Sequence, residues 1–233
     1  MDAGQIGADF DRYLAASNYQ TFPVYRHLMP FGRLAMRFFF GLFAPRLKMT
    51  GRHNIPRRGP VIIAPNHLSN ADPALVLHGS VRPLWYMAKQ ELWEMPWLAS
   101  VLPAMHTFPV DQQGVDRAAL QRSEALLQHG QGLVIFPEGH CSENGQLGEI
   151  QPGASLLALR TGAPVLPVGI WGTDLIVPFA GMIPRPTLAP VHIHYGKLIH
   201  FDDLAQLPRR EQRKAATERL EQALHKVMSI VRE

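Results

Sequence analysis

The chain has 233 residues, of which 46% are hydrophobic and 18% charged, enough apolar material for a single sizeable core and too little charge for a disordered chain. A formal charge of +4 favours anionic partners such as phosphates or membrane headgroups. The single cysteine, Cys141, excludes an internal disulfide and a Cys-based zinc module, and it fits a reducing compartment.

The N-terminus, Met1 to Asp11, is acidic and lacks the basic start and apolar run of a signal peptide, so the expected location is cytoplasmic or the cytoplasmic face of a membrane. From Arg12 to Ala71 there is no Asp or Glu, whereas Arg33, Arg37, Arg46, Lys48 and Arg52 are among the cations there. Inside this stretch the chain from Pro30 to Pro45 reads as a helix between prolines, with Leu34, Phe38, Phe39, Leu42 and Phe43 on one broad face and Arg33 and Arg37 on its flank. That combination suits a helix lying in the headgroup layer, and residues 1–48 are expected to form an N-terminal helical, membrane-associating region. The alternative is a core helix with a solvated arginine edge. A nucleic-acid arm is disfavoured, because phosphate tracking does not need a Phe-Phe-Phe cluster. Arg37 interrupts the most hydrophobic run, so no spanning helix is expected.

Further along, short apolar runs at 61–64, 84–88, 105–110, 133–136, 164–170 and 191–195 read as strands, with helices at 73–79 and 116–129 between them. Such alternation predicts an α/β domain over 49–233, a central mostly parallel or mixed sheet flanked by helices. Leu220, Leu224, Val227 and Val231 then mark an amphipathic closing helix over 208–231. Neither repeats nor linkers divide the chain.

The strand at 61–64 runs into Pro65-Asn66-His67-Leu68-Ser69-Asn70-Ala71-Asp72-Pro73. A strand's C-terminal end meeting a helix is the customary ligand edge of an α/β sheet. Here it places a histidine five residues before a carboxylate, a pair that can act as a base with its tautomer fixed. Alternatively, Asp72 is the N-cap and Pro73 the N1 residue of the helix, with no chemical role. The strand at 133–136 ends similarly in Pro137-Glu138-Gly139-His140-Cys141-Ser142, which reads as a second wall of one cleft or as an ordinary turn.

Asn66-His67 with Asp72, and Phe136-Pro137-Glu138-Gly139 with Ser142, resemble the glycerolipid acyltransferases of the lysophosphatidate acyltransferase type. Phe108-Pro109-Val110-Asp111 and Leu166-Pro167-Val168 stand where that family has its second and fourth blocks, so the resemblance extends over 51–196. It implies transfer of a fatty acyl chain from an acyl thioester, acyl-CoA or acyl carrier protein, to a lysolipid hydroxyl. No metal, prosthetic group or covalent enzyme intermediate is implied, and the enzyme is expected on a membrane surface, the bacterial inner membrane. By the same resemblance His67 is the general base, Asp72 its orienting partner, and Asn66, Glu138 and Gly139 belong to the acceptor site.

Three positions depart from the pattern of members that bind a phosphate-bearing acceptor. Gln112, Cys141 and Gln151 stand where those members carry Arg or Lys. A phosphate dianion wants cationic donors, and Lys89, Arg117 and Arg160 are the candidates to replace them. The leading expectation is acylation of 1-acylglycerol-3-phosphate. The alternatives are a lysolipid without a phosphate monoester, such as a capped lysophospholipid or a lyso-aminolipid, and a non-catalytic lipid-binding protein. A metal held by His106, His140 and Cys141 is discounted, since their spacing matches no known ligand set.

Overall fold

The computed structural model describes residues 11–12, 23–95, 102, 105–111, 116–179, 181 and 183–233. The expectations for most of the acidic N-terminus and for Gln112 lie outside the described residues.

Among the described residues seven strands form one sheet: β1 (Leu47–Thr50), β2 (Val61–Pro65), β3 (Trp85–Lys89), β4 (Thr107–Val110), β5 (Gly132–Val134), β6 (Val165–Trp171) and β7 (Val191–Tyr195). Their order across the sheet is β1-β7-β6-β2-β5-β3-β4. The five from β6 to β4 run parallel, and β7 turns back antiparallel to β6 with β1 parallel to it at the edge. The sheet is therefore mixed and mostly parallel, flanked by helices.

The central strand β2 is buried over its whole length, as expected of a strand covered on both faces. Its side chains alternate between two cores. Ile62 and Ala64 join Trp85, Phe108, Leu126 and Leu224 on one side, and Val61 and Ile63 join Phe40, Leu75, Leu166 and Ile193 on the other. The first core is roofed by α3 (Arg117–Gln128), α4 (Gly153–Thr161) and α5 (Arg209–Arg232), the second by α1 (Pro23–Phe43) and α2 (Asp72–Gly79). Helix α5 lies directly on β6, because a Cβ at Gly169 would stand 2.5 Å from the Val227 carbonyl oxygen.

Four local expectations change. Helix α1 runs straight through Pro30 from Pro23. The proposed single face of α1 splits: Phe31, Leu34, Phe38 and Leu42 are exposed, while Phe40 and Ala44 are buried against the sheet and Phe39 and Phe43, stacked at 4.6 Å, pack partly beside them. Strand β1 was not anticipated, since Lys48 interrupts its apolar pattern and points outward from an edge strand. Helix α4 was not anticipated either; it is largely buried and carries little amphipathic contrast. Among the described residues no helix is long and apolar enough to cross a membrane.

Candidate active site

The parallel strands β2, β5 and β6 end on the same edge, so the loops that follow them meet. Strand β2 stops at Pro65, but Asn66 continues the pairing with its side chain. Its amide accepts the Ile170 N–H at 2.7 Å and donates to the Ile170 carbonyl at 3.1 Å, imitating a further peptide group. Asn66 is fully buried. Asn66, expected at the acceptor, has its amide engaged by β6.

His67 follows, with its peptide held at both ends by the second loop. Its N–H donates to Glu138 Oε1 at 2.7 Å, and its carbonyl accepts the Ser142 N–H at 2.7 Å. The other Glu138 oxygen accepts the Gly148 N–H at 2.7 Å. Glu138 is only 1% exposed. Burial raises its pKa above the ordinary carboxylate value, opposed by those two amide bonds. Glu138, expected at the acceptor, ties the loop after β2 to the loop after β5. Gly139 makes this possible: with φ +76° it turns the chain tightly between Glu138 and Cys141, a conformation that favours glycine.

The His67 ring lies over Phe136, centroids 4.0 Å apart, and its side chain is 15% exposed. Nδ1 stands 2.9 Å from Asp72 Oδ2. Asp72 is not the cap of α2: that position belongs to Ala71, and the Asp72 carboxylate instead folds back into the loop. Besides His67 it accepts the N–H groups of Leu68 and Ser69 at 2.6 and 2.8 Å and the Thr173 hydroxyl at 2.5 Å, entirely out of solvent. A carboxylate so fully supplied with donors stays an acceptor toward the ring, which places a proton on Nδ1.

Nε2 faces Cys141, whose Sγ is 3.2 Å away. Burial opposes a charged imidazole here. The hydrogen bonds to Asp72 and Cys141, with the charges of those two groups, outweigh it and push the His67 pKa up to about 9.

The cations expected to supplement this site divide. Lys89 ends β3 and Arg117 opens α3, both exposed at the edge that carries His67, with Lys89 two strands from β2 and hence roughly 10 Å along the sheet. Arg160 lies near the end of α4 that leads back to the opposite edge and is paired with Glu124, so it does not serve the site. His192 and His194 do share a face, both meeting the Thr50 hydroxyl, at 3.1 and 2.8 Å. The sequence reading missed Thr173, which lies 101 residues from Asp72, and the contact of Cys141 with His67, 74 residues apart. Neither distance leaves a local pattern to detect.

Residues 46–171 match the family model described as Acyltransferase. The chain is 30% identical over 181 residues to a 1-acyl-sn-glycerol-3-phosphate acyltransferase of Bacillus subtilis, covering 76% of this chain and 86% of that one. A protein of the same name from Borreliella burgdorferi is 30% identical over 131 residues, covering 55% of this chain and 52% of the relative, so the match spans about half the length of that protein. Among solved structures the chain is similar to the 1-acyl-sn-glycerophosphate (LPA) acyltransferase PlsC from Thermotoga maritima, with a TM-score of 0.67 and 25% identity, covering 87% of this chain and 79% of the other.

Proposed function

The chain belongs to the Acyltransferase family, and we propose that it moves a fatty acyl group from an acyl thioester to the hydroxyl of a lysolipid, with 1-acyl-sn-glycerol-3-phosphate as the leading acceptor. The observation that carries this reading is the His67–Asp72 pair, with Nδ1 fixed at 2.9 Å by a buried carboxylate and the His67 side chain 15% exposed. A lipid hydroxyl attacks a carbonyl poorly while it holds its proton. Nε2 removes that proton as the carbon–oxygen bond forms, and the thiol leaves. Asp72 keeps the ring oriented and stabilises the imidazolium produced. Lys89 and Arg117, exposed on the same edge, are the cations available to an acceptor phosphate.

The exposed stripe Phe31, Leu34, Phe38 and Leu42 supports a seat on the surface of a membrane. A second apolar group sits on the loop after β6, where Leu175, Phe179, Ile183 and Leu188 are exposed. That loop is tied to the catalytic loop by Ser69 to the Val177 carbonyl and Asn70 to the Gly181 carbonyl. A lipid acceptor held in the bilayer would thus meet His67 at the membrane surface.

A lysolipid without a phosphate monoester is a second acceptor class, favoured by one observation: Cys141 and Gln151, both neutral residues, stand in the loop that faces His67. The test is acyl transfer by the purified chain from long-chain acyl-CoA and acyl carrier protein to lysophosphatidate and, in parallel, to capped and uncharged lysolipids. Turnover is expected to fall by about 100-fold or more in His67→Ala with folding intact. Retained turnover in that variant would exclude His67 as the base, and a preference for capped acceptors would select the second class. Reversible lipid binding with no turnover from either donor would leave a lipid-binding protein.

A further inference from the structure

At the end of α2 away from Asp72, a cavity of about 600 Å³ is lined by Arg33, Arg37, Arg52, His78, Ser80 and Val81. Arg33 and Arg37 come from α1, Arg52 from the turn after β1, and His78 from the last turn of α2. The eight residues of α2 span roughly 12 Å, so the cavity is separate from the edge that carries His67, Lys89 and Arg117.

No carboxylate lines this cavity, and among the described residues none of its cations is ion-paired. Arg52 donates only Nε, to the Gly79 carbonyl at 2.8 Å, and Arg33 and Arg37 make no hydrogen bond among the described residues. Arg82, the residue after Val81, is the contrast: its guanidinium is engaged by the Gly59 and Gly130 carbonyls at 2.6 and 2.9 Å. The His78 ring stacks on Phe40, centroids 5.3 Å apart. Burial lowers the His78 pKa, and the charges of Arg52 and Arg37 lower it further, so both guanidiniums are within electrostatic reach of the ring. Converging like charges repel, an anion between them relieves that repulsion, and the planar donors of arginine match phosphate oxygens.

Apolar surface adjoins the cations. Arg33 and Arg37 share one side of α1, and Leu34 and Phe38, 52% and 72% exposed, share the side next to it. Val81 is exposed in the cavity wall itself. At its other end α1 meets the loop that carries Phe179, Ile183 and Leu188, where the Thr187 N–H donates to the Phe43 carbonyl at 2.8 Å. The exposed stripe therefore leads from the cavity to the loop beside the catalytic edge.

We propose that the cavity is a second phosphate site, which seats the phosphate of an anionic membrane phospholipid while the acyl chains lie along Leu34 and Phe38. The lipid source rests on the membrane seat read above. The site differs from general attraction to a charged surface, because Arg52 and His78, which lie off α1, complete it.

The full-length chain is tested with two probes. Dihexanoyl phosphatidylglycerol below its micelle concentration is followed by calorimetry, and vesicles of phosphatidylcholine, with and without phosphatidylglycerol, are followed by co-sedimentation. The soluble lipid should bind saturably and one-to-one, about tenfold or more weakly in Arg37→Gln and in Arg52→Gln. Arg58→Gln removes the same charge from an exposed position outside the cavity and should stay within about twofold of the wild type. Thermal melting checks folding, and Arg37→Gln, which breaks no hydrogen bond, decides the matter if losing the Gly79 contact destabilises Arg52→Gln. Turnover on a short-chain lysolipid in solution should be unchanged in both cavity variants; a loss there would assign the cavity to the acceptor site and overturn its separate role. The proposal also fails if the soluble lipid does not bind, if Arg37→Gln binds it as the wild type does, or if Arg58→Gln weakens it equally. Inorganic phosphate bound as tightly as the lipid would mark a site for the free anion and overturn the lipid source. Binding of the soluble lipid without co-sedimentation on either vesicle keeps the site and removes the membrane seat, whereas co-sedimentation without binding of the soluble lipid keeps the seat and removes the site.

Discussion

Asn66 grips both backbone groups of Ile170, accepting its N–H at 2.7 Å and donating to its carbonyl at 3.1 Å. The contact fixes the point at which the chain leaves β2 for the loop that carries His67. All of these atoms are buried, so removing the amide would strand an N–H and a carbonyl of β6, each costing roughly 1–3 kcal/mol. Asn66→Ala is therefore expected to destabilise the fold by about 2–5 kcal/mol in a urea titration. Asn66→Asp should also destabilise, because it keeps an acceptor for the N–H but sets an oxygen against the Ile170 carbonyl. A midpoint unchanged in both variants would mean that solvent replaces the side chain and that Asn66 has some other role.

That residue marks where the sequence could be read and where it could not. The approach of His67 to Asp72 was legible, since five residues of loop joining a strand to a helix bring the two together. The strand alternation gave the sheet and its helical layers for similar local reasons. The inward turn of Asn66 and Glu138 was not legible, because their partners are backbone groups of Ile170, Gly148 and His67, and a backbone amide carries no residue identity. The Phe38-Phe39-Phe40 run shows a different limit. Periodicity says that neighbours point about 100° apart, but only the sheet decides that Phe40 docks while Phe38 stays exposed.

Two histidines should give stability opposite pH dependences. The His67 pKa rises to about 9, so the folded state holds its proton more tightly than the unfolded chain does. Its contribution is complete below about 6.5 and is lost as pH rises toward 9. Burial instead drives His106 down to about 3. Below 6.5 the unfolded chain binds a proton that folded His106 refuses, so stability falls with pH on that side. Each unit corresponds to about 1.4 kcal/mol, which makes the alkaline limb of order 3 kcal/mol. Denaturant midpoints measured from pH 5 to 9 should peak near 6.5, and His67→Gln should flatten the alkaline limb while leaving the acid one. An alkaline limb as steep in His67→Gln as in the wild type would assign it to another group.

The two sides of α1 can be separated by experiment because they have opposite energetic consequences. Phe31, Leu34, Phe38 and Leu42 are 52–72% exposed, so changing all four to Ser removes little from the fold. Inserted into a bilayer, however, each would contribute up to roughly 1.5–3 kcal/mol of transfer energy. The quadruple variant should melt within a few degrees of the wild type yet lose at least about tenfold in co-sedimentation with anionic vesicles. Phe40→Ser should behave in reverse, losing about 3–5 kcal/mol of stability because its ring is 1% exposed in the core beneath the helix. Arg33 and Arg37 sit on the same helix and are attracted to anionic lipid only within a Debye length, so added salt should weaken what binding the wild type shows. Co-sedimentation that is unchanged by the four serines would show that the exposed stripe does not meet the membrane, and the seat of the enzyme would then have to be sought on the loop carrying Phe179 and Ile183.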